Sequence, residues 1–333
     1  MVVFNDVKYG FTTGENMNAN LNFILKQLPE VKEFLRHLKI EARYSPLTIY
    51  GYKTDLVVFF RFMSDSNDDN GGPSTFLRVP IPSITKTDIR SFLYFLDTEK
   101  QYSDRSLHRK ICSLRSFFKF CHQEGYLEAD PTKTIKTPKI EKSIPVFMDD
   151  EEYKIFLKAA ESVRDKLILR ILLATGMRVS EVEALNINHI DQNNCTVKVV
   201  KGKGKKQRII DIDPDTIELM KEYIGTERGV PKNPEENDVL FLNRQKARLS
   251  KRTIQRIVKT CREKAGLKKK ITPHKCRHTT GRLLLEGGMD IRVIQEEFGH
   301  KSLSTTEIYT KVTNEHRMRE YKKAHPFTRA EAS

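Results

Sequence analysis

A chain of 333 residues is long enough for two cores, and its 38% hydrophobic and 31% charged residues suit a soluble globular protein with no apolar run able to cross a bilayer. Lysine and arginine total 59 against 44 acidic residues, and the resulting formal charge of +15 makes a polyanion the first partner to consider. Five scattered cysteines with no C-x-x-C pair (Cys112, Cys121, Cys195, Cys261 and Cys276) argue against a disulfide framework or a structural zinc site. The N-terminus lacks the basic and then apolar order of a secretory signal, so a cytoplasmic location is expected.

Residues 1–27 are weakly patterned and form an N-terminal extension. Residues 28–127 predict a helical bundle. In "SPLTIYGYKTDLVVFFRFM", Ser45 is an N-cap and Pro46 the first helical residue. "DSNDDNGGPST" is a turn-rich break, after which Thr87 opens "TDIRSFLYFLDTEK". Ser103 then opens a helix whose stripe is Leu107, Ile111, Leu114, Phe118 and Cys121, with Gly125 as its stop. The proline- and lysine-rich residues 128–148 have no sustained periodicity and are expected to be an extended interdomain linker.

The segment 149–315 reads as a second, mostly helical α+β domain, followed by a tail over 316–333. Helices are expected at "DEEYKIFLKAAES" and at "RDKLILRILLATG", the latter ended by Gly176. In "CTVKVVKGKGKKQRIIDI" the period changes: Val197, Val199, Ile210 and Ile212 alternate with polar residues around a Gly-Lys turn, which is a β-hairpin. Helices return at "DTIELMKEYI", "SKRTIQRIVKTCREKAG", "TPHKCRHTTGRLLLEGG" and "DIRVIQEEFG".

There is no G-x-x-x-x-G-K-[ST] phosphate loop and no obvious set of metal-binding carboxylates. What recurs is a cation or hydrogen-bond donor at the end of an element. Arg178 follows Gly176 at a helix-to-helix junction, and Lys203 occupies the hairpin turn. His274 and Arg277 lie three apart on the first turns of a helix, and His300 follows Gly299. Taken singly, each is more often a solvated or capping residue. Taken together, they can surround one tetrahedral anion.

Tyr309 lies just beyond, within the first two turns of a helix opened by the capping box of Ser304 and Glu307. A phenol has a pKa near ~10 in water, so nucleophilic attack at neutral pH requires positive neighbours or a base. The cations supply the former. Attack on a phosphate would give a phosphotyrosyl ester, with arginines neutralising the developing charge bidentately.

In "ATGMRVSE", "GKGKKQR", "PHKCRH" and "GHKSLSTTEIYT" the chain resembles the tyrosine recombinases, or phage integrases, over residues 28–315. The resemblance implies a mainly α protein: an N-terminal helical core-binding (SAM-like) bundle and a C-terminal α+β catalytic domain with a small sheet, clamping duplex DNA. It implies a site-specific recombinase for integration, excision or resolution, working through a 3′-phosphotyrosyl link without metal, ATP or other cofactor. Tyr309 would attack, Arg178 and Arg277 would hold the non-bridging oxygens, and Lys203 would protonate the leaving oxygen, with Lys201 and Lys205 as stand-ins. His274 would move the tyrosine's proton and His300 would support the phosphate. Glu181 resembles a family carboxylate that orients the site without touching the substrate. A homotetramer on two DNA sites is implied, with accessory DNA-bending or directionality proteins as further partners. Cys276 stands where the family more often has leucine, and the short N-terminal extension favours an Xer-like layout over the larger phage integrases. The competing readings are a type IB topoisomerase, a non-catalytic basic helical DNA-binding regulator and a degenerate family member.

Overall fold

The computed structural model describes residues 28–65, 79–138, 146–200 and 207–299, and these contain eleven α-helices and one three-stranded sheet. The chain divides into two compact units, Met1–Lys142 and Ser143–Ser333. None of the described helices is long and apolar enough to cross a membrane.

The first unit is built from α1 (Pro29–Ile40), α2 (Pro46–Asp65), α3 (Lys86–Tyr94) and α4 (Asp104–Gln123). Pro46 opens α2 as expected, and Ser103 caps α4 by accepting a hydrogen bond from the Ser106 amide. The predicted start at Thr87 is two residues late. Thr85 is the cap of α3, and the Asp88 carboxylate closes the reciprocal bond to the Thr85 amide at 2.7 Å. An aspartate does there what a glutamate usually does, which is why the pattern is easy to pass over. All five stripe residues of α4 are buried, and Gly125, at φ 78°, turns the chain away just after it. Phenylalanines fill this core edge-on, as in the Phe34–Phe117 pair (5.4 Å, 76°) and the Phe59–Phe92 pair (5.1 Å, 77°). Fully burying one such ring is worth about 1.5–3 kcal/mol.

One charged residue sits inside that core. Asp55, only 2% exposed, accepts from Arg109 at 2.6 Å, from the buried Lys110 at 3.2 Å and from Ser113 at 2.7 Å. Burial pulls the Lys110 ammonium below its ordinary pKa against the opposing charge of Asp55. Removing the carboxylate strands a buried cation, so Asp55→Ala is expected to cost about 3–5 kcal/mol in urea unfolding. A loss below about 1 kcal/mol would show the network to be dispensable.

The second unit runs α5 (Asp150–Lys158), α6 (Val163–Thr175), α7 (Val179–Glu183), β1 (Ile190–Asp191), β2 (Thr196–Val199), β3 (Arg208–Asp211), α8 (Pro214–Tyr223), α9 (Lys251–Lys264), α10 (Pro273–Glu286) and α11 (Ile291–Phe298). Helix α6 buries Leu167, Ile168, Leu169, Ile171, Leu172 and Leu173, as befits a helix packed by α8 on one side and α10 on another. The sheet is antiparallel in the order β1-β2-β3, with Val197 opposite Ile210. Val197, Val199 and Ile210 face the core, Ile209 points outward, and Ile212 is buried one residue past β3. Strand β1, two residues long, is too short to have a readable period. A smaller cluster of Phe147, Leu285, Ile294 and Phe298 seats α11 beside α10. Within the segment expected as a linker, Ile135 is buried in the first core and Met148 in the second.

Candidate active site

The site begins where α6 stops. Gly176 adopts φ 59°, a left-handed conformation, and a Cβ there would lie 2.6 Å from the Phe298 ring. Glycine is needed on both counts. Two residues later Arg178 is the N-cap of α7, a position that favours side-chain acceptors, which a guanidinium does not have. Glu181 supplies the acceptor instead, taking the Arg178 amide at 2.9 Å and its Nη1 at 3.1 Å. The same carboxylate takes Nη1 and Nη2 of Arg208 at 3.0 and 2.8 Å. Glu181 is 3% exposed. Burial alone would raise its pKa, but the Arg208 hydrogen bond, the Arg178 amide and both guanidinium charges outweigh it and hold the carboxyl below its ordinary range.

Helix α10 brings the second arginine. Thr272 caps it by accepting from the Lys275 amide, Pro273 opens it, and His274 and Arg277 follow on its first turns. The two differ in burial: His274 is exposed, whereas Arg277 is 2% exposed. Arg277 donates from Nη1 to the Gly176 carbonyl at 2.7 Å and from Nη2 to the Phe298 carbonyl at 2.5 Å, and its guanidinium lies 4.4 Å from the Phe298 ring centroid. Arg178 Nη2 reaches the Gly299 carbonyl at 3.4 Å, and Arg208 Nε reaches that of Glu297 at 2.5 Å. Three consecutive carbonyls at the end of α11 therefore each accept from a different arginine. Those carbonyls form the negative end of the helix, which is where cations bind most favourably.

His274 and His278 face each other one turn apart, Nε2 to Nε2 at 3.1 Å. One must donate and the other accept, so the two facing nitrogens hold a single proton. Loss of hydration, followed by the charges of Arg277, Lys275 and Arg178, lowers the His274 pKa, leaving a neutral imidazole able to accept a proton. His278 is pushed down to about 4, by burial first and then by His274, Lys275 and Arg277. An unfolded histidine binds its proton near pH ~6.5, so between that pH and about 4 the unfolded chain holds more protons. The stabilisation is complete above pH ~6.5 and is lost as pH falls toward 4. His278→Asn is expected to flatten the fall in melting temperature between about pH 7 and 5, leaving the shares due to His274 and His189, whose pKa values are also lowered. Melting curves with the same pH dependence as the parent would contradict this.

Lys203, with Lys201 and Lys205, and likewise His300 and Tyr309, lie outside the described residues. Strands β2 and β3 bracket the lysines, and Gly299 immediately precedes His300. Cys276 is fully buried, which pushes its thiol up to about 12 and leaves a packing residue. The sequence reading passed over Arg208 and His278. The first had a signal in the quoted "GKGKKQR", because a carboxylate destined for burial beside one arginine has room for a second.

Comparison with known proteins gives one consistent answer. Residues 146–316 match the phage integrase family and residues 31–125 the phage integrase N-terminal SAM-like domain. The tyrosine recombinase XerC of Anoxybacillus flavithermus is 36% identical over 94% of this chain and 99% of its own length. The XerC protein of Oceanobacillus iheyensis is 35% identical over 89% and 95%, respectively. Among solved structures, the XerH site-specific recombinase bound to its difH substrate superposes with a TM-score of 0.66 at 23% identity, over 96% of this chain and 91% of that one.

Proposed function

The chain belongs to the phage integrase family of tyrosine recombinases, and from that membership we propose how its residues divide the work of cutting and rejoining DNA at specific sites. Tyr309 attacks the scissile phosphorus, forming a 3′-phosphotyrosyl bond as the bond to the 5′-oxygen breaks. The phenolic proton passes to His274, and Lys203 protonates the leaving 5′-oxygen. Arg178 and Arg277 hold the two non-bridging oxygens, and His300 adds a hydrogen bond. One ester replaces another, so the energy for rejoining stays in the phosphotyrosyl bond and no nucleotide is consumed.

The observation that carries this reading is the convergence of Arg178 and Arg277, from different helices, on the carbonyls of Phe298 and Gly299, the two residues that lead into His300. Carbonyl oxygens offer partial charges, whereas a phosphate carries a full one. The substrate in this reading is duplex DNA, bound by a homotetramer on two sites, with accessory DNA-bending or directionality proteins as further partners. The test is incubation with a nicked duplex carrying the recognition site, in chelator and without nucleotide. A covalent protein–DNA adduct that survives denaturation is expected, linked through Tyr309 in the digested peptide. Cleavage with no adduct, or an adduct on another residue, would overturn the proposed roles.

A further inference from the structure

We propose that Arg208 is a positioning residue for this reaction, one that keeps Arg178 available, as a net positive charge, to the phosphate. The inference rests on the roles proposed above and adds a residue to them. Glu181 accepts four hydrogen bonds, two from Arg178 and two from Arg208, which fills the acceptor capacity of a carboxylate. Its side chain is 1% exposed and that of Arg208 12%, so water does little to screen the balance between them.

Consider the charges without Arg208. Arg178 and Glu181 would form a neutral pair, with two acceptor sites of a buried carboxylate left empty. The carboxylate would then draw the Arg178 guanidinium onto itself and away from any anion. With Arg208 in place, two cations share one anion and a net positive charge remains at Arg178. Geometry adds to charge. The Arg208 fork holds Glu181 through both Nη atoms while its Nε holds the Glu297 carbonyl, so one planar group links the start of α7 to the end of α11. Gly299 packs alongside: a Cβ there would lie 3.7 Å from Arg208 Cδ. A lysine has one nitrogen and cannot serve both partners.

The experiment compares the full-length protein with Arg208→Gln and Arg208→Lys in single-turnover cleavage of two nicked duplexes. One has a normal scissile phosphate, and the other a methylphosphonate, in which a methyl group replaces a non-bridging oxygen and removes the charge. Melting curves and DNA affinity are measured alongside. On the normal phosphate Arg208→Gln is expected to cleave about 30- to 100-fold more slowly and Arg208→Lys, which keeps the charge and loses the fork, about 3- to 10-fold, with DNA affinity within about threefold for both. On the neutral linkage the loss shrinks to about threefold or less, because there is no charge left for Arg178 to meet. If the parent does not cut the neutral linkage measurably, the double variant Arg208→Gln/Glu181→Gln decides. It should cut no more slowly than Arg208→Gln alone, since removing the carboxylate's charge removes the need for its second cation.

Equal losses on both linkages, or additive losses in the double variant, would make Arg208 a structural residue and overturn the proposal. Parent-like rates in the single variants would overturn it too, while leaving the proposed roles standing. A parent that forms no tyrosyl adduct would overturn those roles and this inference with them. Should Arg208→Gln fail to fold, the double variant Arg208→Gln/Glu181→Gln is compared with Glu181→Gln alone, and a further loss of more than about threefold would overturn the proposal.

Discussion

Tyr309→Phe is expected to leave no detectable covalent adduct on the nicked duplex, a loss of at least about 10⁴-fold, while DNA affinity stays within about twofold of the parent. The substitution removes one oxygen. A nucleophile cannot be replaced by its neighbours, so under the proposed role no other group can form the phosphotyrosyl bond. Affinity is expected to survive because a chain with a charge of +15 should spread its binding over many backbone phosphates rather than rest it on one phenol. Adduct yield is read on a denaturing gel and affinity by titration at fixed salt. A phenylalanine variant that gave the parental adduct yield would remove Tyr309 from the chemistry.

The second large effect is expected at Arg277. Arg277→Ala should slow single-turnover cleavage by about 10²- to 10³-fold and weaken DNA binding by less than about tenfold. Donors aimed at a developing charge act mainly on the transition state, so the rate should fall further than the affinity. The same substitution leaves the carbonyls of Gly176 and Phe298 without these donors and takes the guanidinium off the Phe298 ring. A stability loss of about 1–3 kcal/mol should accompany it. Arg277→Lys separates the two effects: it keeps a charge near the site and part of the packing, yet loses the planar fork, so stability should recover more than rate. Equal falls in affinity and rate for both variants would refute the transition-state role.

Much of this architecture could be read beforehand because local signals and tertiary structure agree. Ser103, Asp149, Ser162, Asp213, Ser250, Thr272 and Asp290 each cap a helix through a side-chain acceptor, and Gly176 and Gly299 end helices with left-handed backbones. Such caps act within one turn, so they are visible in a single stretch of chain. Asp55 was not legible, since a carboxylate beside an apolar run reads as the solvated side of a helix, and its partners lie more than fifty residues on. The arginines divide along the same line. Spacing put Arg178 and Arg277 among the candidates, yet Arg277 owes its burial to Phe298, and Arg208 owes its role to a carboxylate in another element. Pairings across long separations depend on packing that no local pattern encodes.

The arginine contacts at the end of α11 have a consequence for how this protein can diverge. They reach main-chain oxygens, which every amino acid brings with it. Glu297 can be exchanged without removing the acceptor that Arg208 uses, and the outward residues Arg292, Val293 and Glu296 are freer still. Sequence drift is constrained on the donor side, where Arg178, Arg208 and Arg277 face Gly176 and Phe298, and is tolerated on the acceptor side. A chain built this way can rewrite the visible surface of α11 while the carbonyls of Glu297, Phe298 and Gly299 stay anchored at the same three points.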